Sequence, residues 1–452
     1  MPLDPQAYRP AADLLTLGDS FYDPVTAADF PEARLRFRND RAAAEVGLDG
    51  LTDDEWVRHF GRFDPLPGTL PQPLALRYHG HQFRQYNPDI GDGRGFTFAQ
   101  LRDRDGRLLD LGTKGSGQTP YSRFGDGRLT LKGGVREILA TEMLEALGVP
   151  TSRSFSLIET GEALERGDEP SPTRSAALVR LSHSHVRIGT FQRLAYFQDA
   201  EGLRRLVAYV LDRLYGEPGD DPVRLLTLVV ERTARLAASY MAAGFVHGVL
   251  NSDNINVTGE SFDYGPWRFA PTWDPGFTAA YFDHAGLYAF GRQPEAIHWD
   301  VMQLAVSLRP LVDAEPLIAA LDGFAAAYQP AVARAILWRL GRSSRGEAED
   351  RALVQAVERS LRTTGIGIDR FFFDAFAQDL PDSYGAEWNE ARAALAGYPP
   401  RKARDHAYWS GEPCAVLIEE VEAIWASIDR DDDWGPLHAK VAATREMASA
   451  LA

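Results

Sequence analysis

The segment 244–265, GFVHGVLNSDNINVTGESFDYG, gathers side chains that suit phosphate and metal chemistry. Asn254 follows His247 by seven residues, and Asp263 opens an Asp-Tyr-Gly run. Amide and carboxylate oxygens are ligands that Mg²⁺ or Mn²⁺ accepts alongside phosphate oxygens. Asp253 adds a second carboxylate beside Asn254, although an Asn-Ser-Asp-Asn run is also typical of a capped turn. The segment therefore predicts a centre that handles phosphate with a divalent cation.

The spacing of these residues is that of a phosphotransferase of the protein-kinase type. Such enzymes carry H-R-D-x-x-x-x-N followed by D-F-G, in which the Asn and the second Asp hold magnesium and the first Asp accepts the proton of the substrate hydroxyl. His247, Asn254 and Asp263 occupy three of these positions, but Val249 stands where the catalytic Asp belongs. The sequence thus predicts the metal-holding half of a kinase centre without its usual base.

A lysine and a glutamate could supply the phosphate-binding half. Lys114 ends a predicted strand within Gly-Thr-Lys-Gly-Ser-Gly, where glycines let backbone N–H groups approach phosphates closely. Kinases pair such a lysine with a glutamate on the next helix, and Glu137 lies 23 residues later on a predicted helix. Taken singly, they are better explained as a surface lysine and a first-turn glutamate that the helix dipole favours. Together with the segment 244–265, they favour a functional pair.

Arginines offer further contacts to anions. The chain holds two copies of Gly-Asp-Gly-Arg, at 91–94 and 125–128. Asp-Gly is first of all a type I′ hairpin signal, but arginine binds phosphate bidentately. Arg180 and Arg187 are seven residues apart where a predicted strand runs into a turn, so both guanidinium groups could face one pocket. Solvated arginines are the alternative for each of them.

The elements that must position these residues change character along the chain. Apolar patterning and turn residues predict strands and one helix first, and helices from about residue 189 onward. We therefore expect an α+β fold of the protein-kinase type, with a β-rich lobe before a helical lobe. Strands are predicted over 95–101, 107–112, 153–159 and 176–182, and helices over 34–45, 53–60, 134–147 and 222–243. The expected parts are an N-terminal wrapping segment (1–76), a β-rich nucleotide-binding lobe (77–188), a helical lobe with the catalytic and metal loop (189–312), and a helical C-terminal extension (313–452).

Composition argues against several classes of protein. A net charge of −16 disfavours a nucleic-acid binder, which normally carries a basic face. No apolar run approaches the ~20 residues that a membrane span needs, and no signal peptide is predicted at the N-terminus. The single cysteine, Cys414, excludes an internal disulfide and a cysteine-based zinc cluster. We expect a cytoplasmic monomer without nucleic-acid or membrane partners.

Together these residues resemble the selenoprotein O family, protein adenylyltransferases with a pseudokinase fold. The resemblance runs from about residue 35 to 310 and fades towards the C-terminus, and the stretch at Lys114 is highly specific. The motifs that carry it are GHQF (80–83), GDGR (91–94 and 125–128), KGSGQTPYSR (114–123), RE (136–137), SHSHVRIGTF (182–191), HGVLNSDN (247–254) and DYGP (263–266).

The resemblance implies that ATP binds in the orientation opposite to that in a kinase, so that the α-phosphate faces the acceptor. AMP then moves onto Ser, Thr or Tyr hydroxyls of proteins, and some members are described as transferring UMP with Mn²⁺. It implies Asp253 as the proton acceptor, with Asn254 and Asp263 as the ligands of Mg²⁺ or Mn²⁺. The remaining implied roles are phosphate binding by Lys114, Arg180 and Arg187, orientation of Lys114 by Glu137, and nucleotide contacts by Gly91, Gly93, Arg94, Asp126, Gly127 and Asp263.

A reversed nucleotide would account for Val249. The acceptor would then approach from another side, where a base at position 249 would be misplaced and Asp253 could serve instead; such a base contributes about 10²–10⁴-fold. The chain also departs from the family pattern. Arg84 stands where Gly is usual, Gly133-Gly134 stand where serines are common, and residues 445–452 lack the Cys- or selenocysteine-bearing tail of many members. We therefore expect no redox control through a tail disulfide.

Two other functions stay open on the sequence. A γ-phosphate kinase of the aminoglycoside-kinase type would carry His-Gly-Asp, and Val249 in the Asp position counts against it. A non-catalytic nucleotide-binding scaffold would explain Val249. It would leave the joint presence of Lys114, Asn254 and Asp263 without a reason.

Overall fold

The computed structural model describes residues 6–167 and 169–452 of the chain. Their fold is α+β, as predicted. The strands are β1 (Pro10–Ala11), β2 (Tyr22–Pro24), β3 (Arg34–Arg38), β4 (Leu74–Leu76), β5 (Gly80–Gln82), β6 (Gln85–Asn87), β7 (Thr97–Arg102), β8 (Leu108–Lys114), β9 (Leu129–Thr130), β10 (Arg153–Leu164), β11 (Thr173–Ser182), β12 (Phe245–Val246) and β13 (Arg268–Phe269). The helices are α1 (Asp40–Glu45), α2 (Asp53–Phe60), α3 (Leu131–Ala146), α4 (Ile188–Tyr196), α5 (Ala200–Tyr209), α6 (Pro222–Ala243), α7 (Gln293–Leu308), α8 (Ala314–Leu321), α9 (Gly323–Arg339), α10 (Glu347–Thr364), α11 (Ile368–Ala375), α12 (Asn389–Leu395), α13 (Ile418–Asp431) and α14 (Gly435–Leu451).

One large sheet carries the phosphate-binding residues. Its order is β2-β4-β7-β8-β11-β10-β3, with β1 on β7 and β9 on β11, and neighbouring strands are antiparallel. The register pairs Lys114 of β8 with Leu178 of β11. Because side chains alternate between the faces of a sheet, Arg180 projects from the same face as Leu178 and Lys114. The sheet thus places two cationic side chains side by side.

Helix α3 covers that face of the sheet and delivers Glu137. Val135 and Ile138 belong to the same buried cluster as Leu157 and Leu178 of the sheet. The helix begins at Leu131, three residues before the predicted start, because the Thr130 hydroxyl accepts the N–H of Gly133 at 3.1 Å and caps the first turn. The cap outweighs the low helix propensity of the glycines at the start of the helix.

The N-terminal segment adds strands to the sheet and covers its other face. Trp56 of α2 stacks on Phe155 with ring centroids 4.9 Å apart. The helix predicted over 34–45 is only half right, because residues Arg34–Arg38 pair with β10 as strand β3. Asn39 then accepts the N–H of Ala42 and starts α1. The helix predicted over 53–60 is confirmed as α2.

A separate two-stranded hairpin, β5–β6, extends towards the segment 244–265. Its two-residue turn consists of Phe83 and Arg84, with φ of 50° and 63°. Positive φ at both positions is the type I′ geometry, which glycine adopts at no steric cost. Arg84 adopts it while its guanidinium pairs with Glu295 of α7 at 3.1 Å and lies 5.3 Å from the Trp299 ring centroid. Arg84, which stands where the family usually has glycine, is thus held by contacts with α7.

Helix α6 ends directly before the segment 244–265. Contacts from α9 and α11 stabilise the C-terminal end of α6. Arg339 of α9 donates to the carbonyl of Ala242 at 2.7 Å and also bonds the carboxylate of Asp369 in α11. Its guanidinium carbon lies 4.2 Å from the centroid of the Phe372 ring. Both members of this ion pair are largely buried. The helical C-terminal part therefore supports the turn that enters β12. Within the described ranges, no helix is long and apolar enough to cross a bilayer.

Replacing Arg339 by Met should lower the free energy of unfolding by about 3–5 kcal/mol, because Asp369 would stay buried without its partner. Chemical denaturation measures the loss. Arg351→Met is the matched control: Arg351 pairs with Glu347 one turn away on an exposed helix surface, so its loss should cost less than about 1 kcal/mol. Equal effects of the two substitutions would contradict the structural role of Arg339.

Candidate active site

A cavity of about 680 Å³ is bounded by the sheet, by the two Gly-Asp-Gly-Arg turns and by the segment 244–265. Glu137 and Asn254 do not line the cavity, but each is next to a residue that does: Glu137 contacts Lys114, and Asn254 follows Asp253 in the chain. The predicted site residues that line the cavity are Gly91, Gly93, Arg94, Lys114, Asp126, Gly127, Arg180, Arg187, Asp253 and Asp263. Residues from 91 to 263 of the chain therefore meet around one space.

Lys114 lies at the centre of a buried ionic cluster. Its ammonium donates to the carboxylate of Glu137 and lies 2.9 Å from Oδ1 of Asp263. Lys114 and Glu137 are almost completely buried. Burying a charge is costly unless it is paired, so the carboxylates of Glu137 and Asp263 determine the position of the Lys114 ammonium. Glu137 has the contact that an orienting role for Lys114 requires.

Asp263 faces the cavity from an uncommon backbone conformation. Its φ is 63°, in the left-handed region. Burial opposes ionisation, but Lys114 and Arg180 outweigh that effect and hold the pKa of the Asp263 carboxyl well below its usual range. Arg180 Nη1 lies 3.4 Å from Asp263 Oδ1. Asp263 is therefore an anion at neutral pH, which is the state that a metal ligand requires.

Asn254 and Asp253 lie on a 3-10 turn, Ser252–Asn254. The amide nitrogen of Asn254 donates to the carbonyl of Val249 at 2.9 Å. This bond orients the amide and leaves its oxygen as the end available to a cation. This oxygen and the carboxylate of Asp263 are hard donors, the type that Mg²⁺ or Mn²⁺ accepts. The residues present fit such an ion, and Val249 contributes to the site through its backbone.

The side chain of Asp253 reaches the cavity from a buried position. Its Oδ1 has no hydrogen-bond partner among residues 6–167 and 169–452. The hairpin β5–β6 lies directly against it, since a Cβ atom at Gly80 would come within 2.7 Å of that oxygen. Burial raises the pKa of Asp253 to about 6, although Arg187 acts in the opposite direction. A carboxylate in this environment is suited to accept a proton near neutral pH.

Arg187 connects Asp253 to a residue that sequence reasoning missed. Its Nη1 donates to the backbone carbonyl of Asp253 at 3.0 Å, and its Nη2 donates to Asp92 Oδ1 at 3.2 Å. The guanidinium carbon lies 4.1 Å from the centroid of the Tyr78 ring. The sequence assigned Asp92 only to a turn. The repetition of Gly-Asp-Gly-Arg was the one available signal, and Tyr78 carried none.

The second Gly-Asp-Gly-Arg turn uses its aspartate in the same way. Asp126 accepts hydrogen bonds from Arg166 Nη1 at 2.8 Å and Nη2 at 3.2 Å. Arg166 lines the cavity and was also missed from the sequence. Each turn therefore holds an arginine through its aspartate.

Close packing explains the glycine at position 91. A Cβ atom there would lie 2.4 Å from Cγ of Tyr121, whose ring packs against the turn. The hydroxyl of Tyr121 bonds Asp23 of β2, which ties this wall of the cavity to the sheet. The sequence predicts Gly91 as part of a hairpin turn, and the family resemblance implies that it contacts the nucleotide. In the structure, the glycine also makes room for the tyrosine.

Comparisons with known proteins identify relatives of this chain. The family described as "Protein adenylyltransferase SelO" matches residues 5–445. "Protein nucleotidyltransferase YdiU" of Gloeobacter violaceus is 47% identical over 460 residues, covering 95% of this chain and 93% of that protein. The protein of that name from Synechocystis is 44% identical over 464 residues (95% and 96% covered), and the one from Azotobacter vinelandii is 36% identical over 416 residues (90% and 82%).

These matches correct one expectation from the sequence. The resemblance was expected to fade after about residue 310, but the family match continues to residue 445. Short motifs with chemical side chains are scarce in the C-terminal helices, where buried apolar residues such as Leu353 and Phe371 dominate the pattern. Such positions tolerate exchange among apolar residues and are hard to recognise in a single sequence. Over nearly its whole length, the chain belongs to the SelO family of protein nucleotidyltransferases.

Proposed function

We propose that this enzyme is a protein adenylyltransferase, which moves AMP from ATP onto Ser, Thr or Tyr hydroxyls of proteins and releases pyrophosphate. One observation carries the proposal: Asp253 lines the cavity with a buried carboxylate oxygen that has no hydrogen-bond partner among the described residues, whereas position 249 contributes a backbone carbonyl. The order of a β-rich part before a helical part supports a kinase-like, two-lobed fold. The printed names of the relatives support nucleotide transfer to protein.

The proposed site residues divide into groups that bind phosphate, groups that bind a metal ion, and one proton acceptor. Lys114, Arg180 and Arg187 hold phosphate oxygens, and Glu137 keeps Lys114 in place. Asn254 and Asp263 would hold Mg²⁺ or Mn²⁺, which neutralises charge on the phosphates. A second set of groups, Gly91, Gly93, Arg94, Asp126 and Gly127, lines the rest of the nucleotide.

The proposed reaction balances as a single displacement. Asp253 accepts the proton of the acceptor hydroxyl, the hydroxyl oxygen bonds the α-phosphorus, and the bond from that phosphorus to the bridging oxygen of pyrophosphate breaks. The cationic groups stabilise the charge that moves onto the leaving pyrophosphate. A γ-phosphate kinase would need a base beside the γ-phosphate. Val249 occupies the usual position of that base, and its side chain cannot accept a proton.

Incubation with α-labelled and, separately, γ-labelled ATP distinguishes these reactions. With Mg²⁺ or Mn²⁺ present, we expect protein-bound label from the α position only, because AMP carries that phosphorus alone. Label from the γ position only would replace the proposal with a kinase. ATP binding without any label would indicate a scaffold, and α-labelled UTP with Mn²⁺ decides whether UMP is also transferred.

Asp253→Asn should reduce transfer by about 10²–10⁴-fold and leave ATP binding nearly unchanged, because it removes the proton acceptor and little of the binding surface. Asp263→Ala should abolish the metal-dependent reaction. Initial rates with α-labelled ATP, and calorimetric titration with ATP, measure the two effects. Asp313→Asn, at a fully exposed carboxylate before α8, is the control and should behave as the unmodified protein. An active Asp263→Ala enzyme would remove that residue from the proposed metal site.

A further inference from the structure

Three exposed aromatic side chains gather near the turn that carries Asp253. Phe83, Phe282 and Tyr281 are 36%, 42% and 79% exposed, and we call them the aromatic patch. The ring centroids of Phe83 and Phe282 are 5.8 Å apart, and those of Phe282 and Tyr281 are 5.1 Å apart. Single exposed apolar residues are ordinary, but large aromatic rings in contact at a surface mark interaction sites.

Hydrogen bonds fix the aromatic patch relative to the turn. The N–H of Phe83 donates to Oδ1 of Asn251 at 3.0 Å, and the hydroxyl of Tyr288 donates to the same oxygen at 2.8 Å. Asn251 precedes Asp253 by two residues. The hairpin that carries Phe83 also lies against Asp253 at Gly80. The patch and the turn that carries the proposed base are therefore fixed relative to each other.

The loop that carries the other two rings is also fixed. Asp283 follows Phe282 directly, and its carboxylate accepts the N–H groups of Leu287 and Tyr288, each at 2.8 Å. The buried ring of Tyr288 packs against Phe83 with centroids 5.1 Å apart. Side chains that are ordered before binding lose less entropy when a partner binds.

Charges around the aromatic patch are paired within the protein. Arg84, next to Phe83, pairs with Glu295 at 3.1 Å, and Arg292 lies 3.6 Å from the same carboxylate. The two N–H groups just described satisfy Asp283. These neighbours offer no free charge to a ligand, so recognition here depends on apolar contact.

We propose that the aromatic patch binds a bulky apolar side chain of the substrate protein, a few residues from the acceptor hydroxyl. The inference rests on the proposed function, because a protein acceptor must lie across the surface next to Asp253. The nucleotide occupies the cavity, whose wall contains none of the three aromatic residues. An extended segment advances about 3.3 Å per residue, so a neighbouring side chain can reach the patch while the hydroxyl reaches Asp253.

Fluorescein-labelled peptides test the inference with the full chain and a non-hydrolysable ATP analogue. Each peptide has one central Ser in an Ala background, with Leu, Phe or Glu at one of the four positions on either side. We expect Leu or Phe at a fixed distance from Ser to lower the Kd about tenfold relative to Ala, as one buried anchor does, and Glu not to do so. Fluorescence polarisation measures the Kd.

Variants locate the effect on the surface. Phe282→Ala and Tyr281→Ala should remove the preference for Leu or Phe and leave the Kd of ATP unchanged. Phe197→Ala is the matched control, since Phe197 is 58% exposed at the end of α4 and lies outside the patch. Unchanged ATP binding and thermal unfolding show that a variant is folded.

The outcomes separate this inference from the proposed function. A preference that persists in the double variant Phe282→Ala/Tyr281→Ala overturns the inference, as does the absence of peptide binding up to about 1 mM. If the preference depends on the patch but α-labelled ATP labels no protein, docking stands and AMP transfer fails. If transfer occurs without any dependence on the patch, AMP transfer stands and docking fails.

Discussion

The ammonium of Lys114 must stay paired because it is buried, and its two partners come from different parts of the chain. Glu137 lies on α3, and Asp263 lies in the segment that follows β12. The pairing therefore requires the sheet, the helix packed on it and the segment 244–265 to meet at one point. Helix α3 cannot shift without carrying Glu137 away from Lys114, and its apolar contacts with Leu157 and Leu178 hold it in place. The cavity is shaped by this requirement.

A second set of contacts positions Asp253 relative to the Lys114 cluster. Arg187 joins the turn at Asp92 to the backbone of Asp253, so Asp253, the proposed base, is placed relative to the cationic wall. Asp253 is left with an oxygen that the described protein atoms do not use. An unpaired polar atom is costly in a buried position, and such costs concentrate at functional sites. Under the proposed function, this oxygen without a partner marks the side of the cavity from which the acceptor hydroxyl approaches.

The sequence predicted the site best where several residues together matched the spacing of a known catalytic pattern. Lys114 and Glu137 were predicted as a pair because kinases join a strand lysine to a glutamate on the next helix and the segment 244–265 has kinase-like spacing, and the two side chains are in contact in the structure. Asp92 and Tyr78 were missed because an aspartate in a turn and a tyrosine near a strand have many ordinary roles. Arg34–Arg38 was predicted as helix because its periodicity was considered without its partner, β10, which lies more than a hundred residues away. Long-range pairing of this kind is not encoded in a local pattern.

The turn at Phe83 and Arg84 gives the acceptor side of the site a property that its buried wall lacks. A left-handed arginine costs roughly 1–2 kcal/mol, and its exposed pair with Glu295 returns at most about 1 kcal/mol. The ion pair therefore offsets part of the cost of the turn, and its contribution is screened by salt. The buried Lys114 cluster is shielded from solvent ions, whereas the hairpin is held partly by a contact that they weaken. Ionic strength therefore acts on the hairpin, which the proposed function places beside the acceptor, and leaves the buried Lys114 cluster largely unaffected.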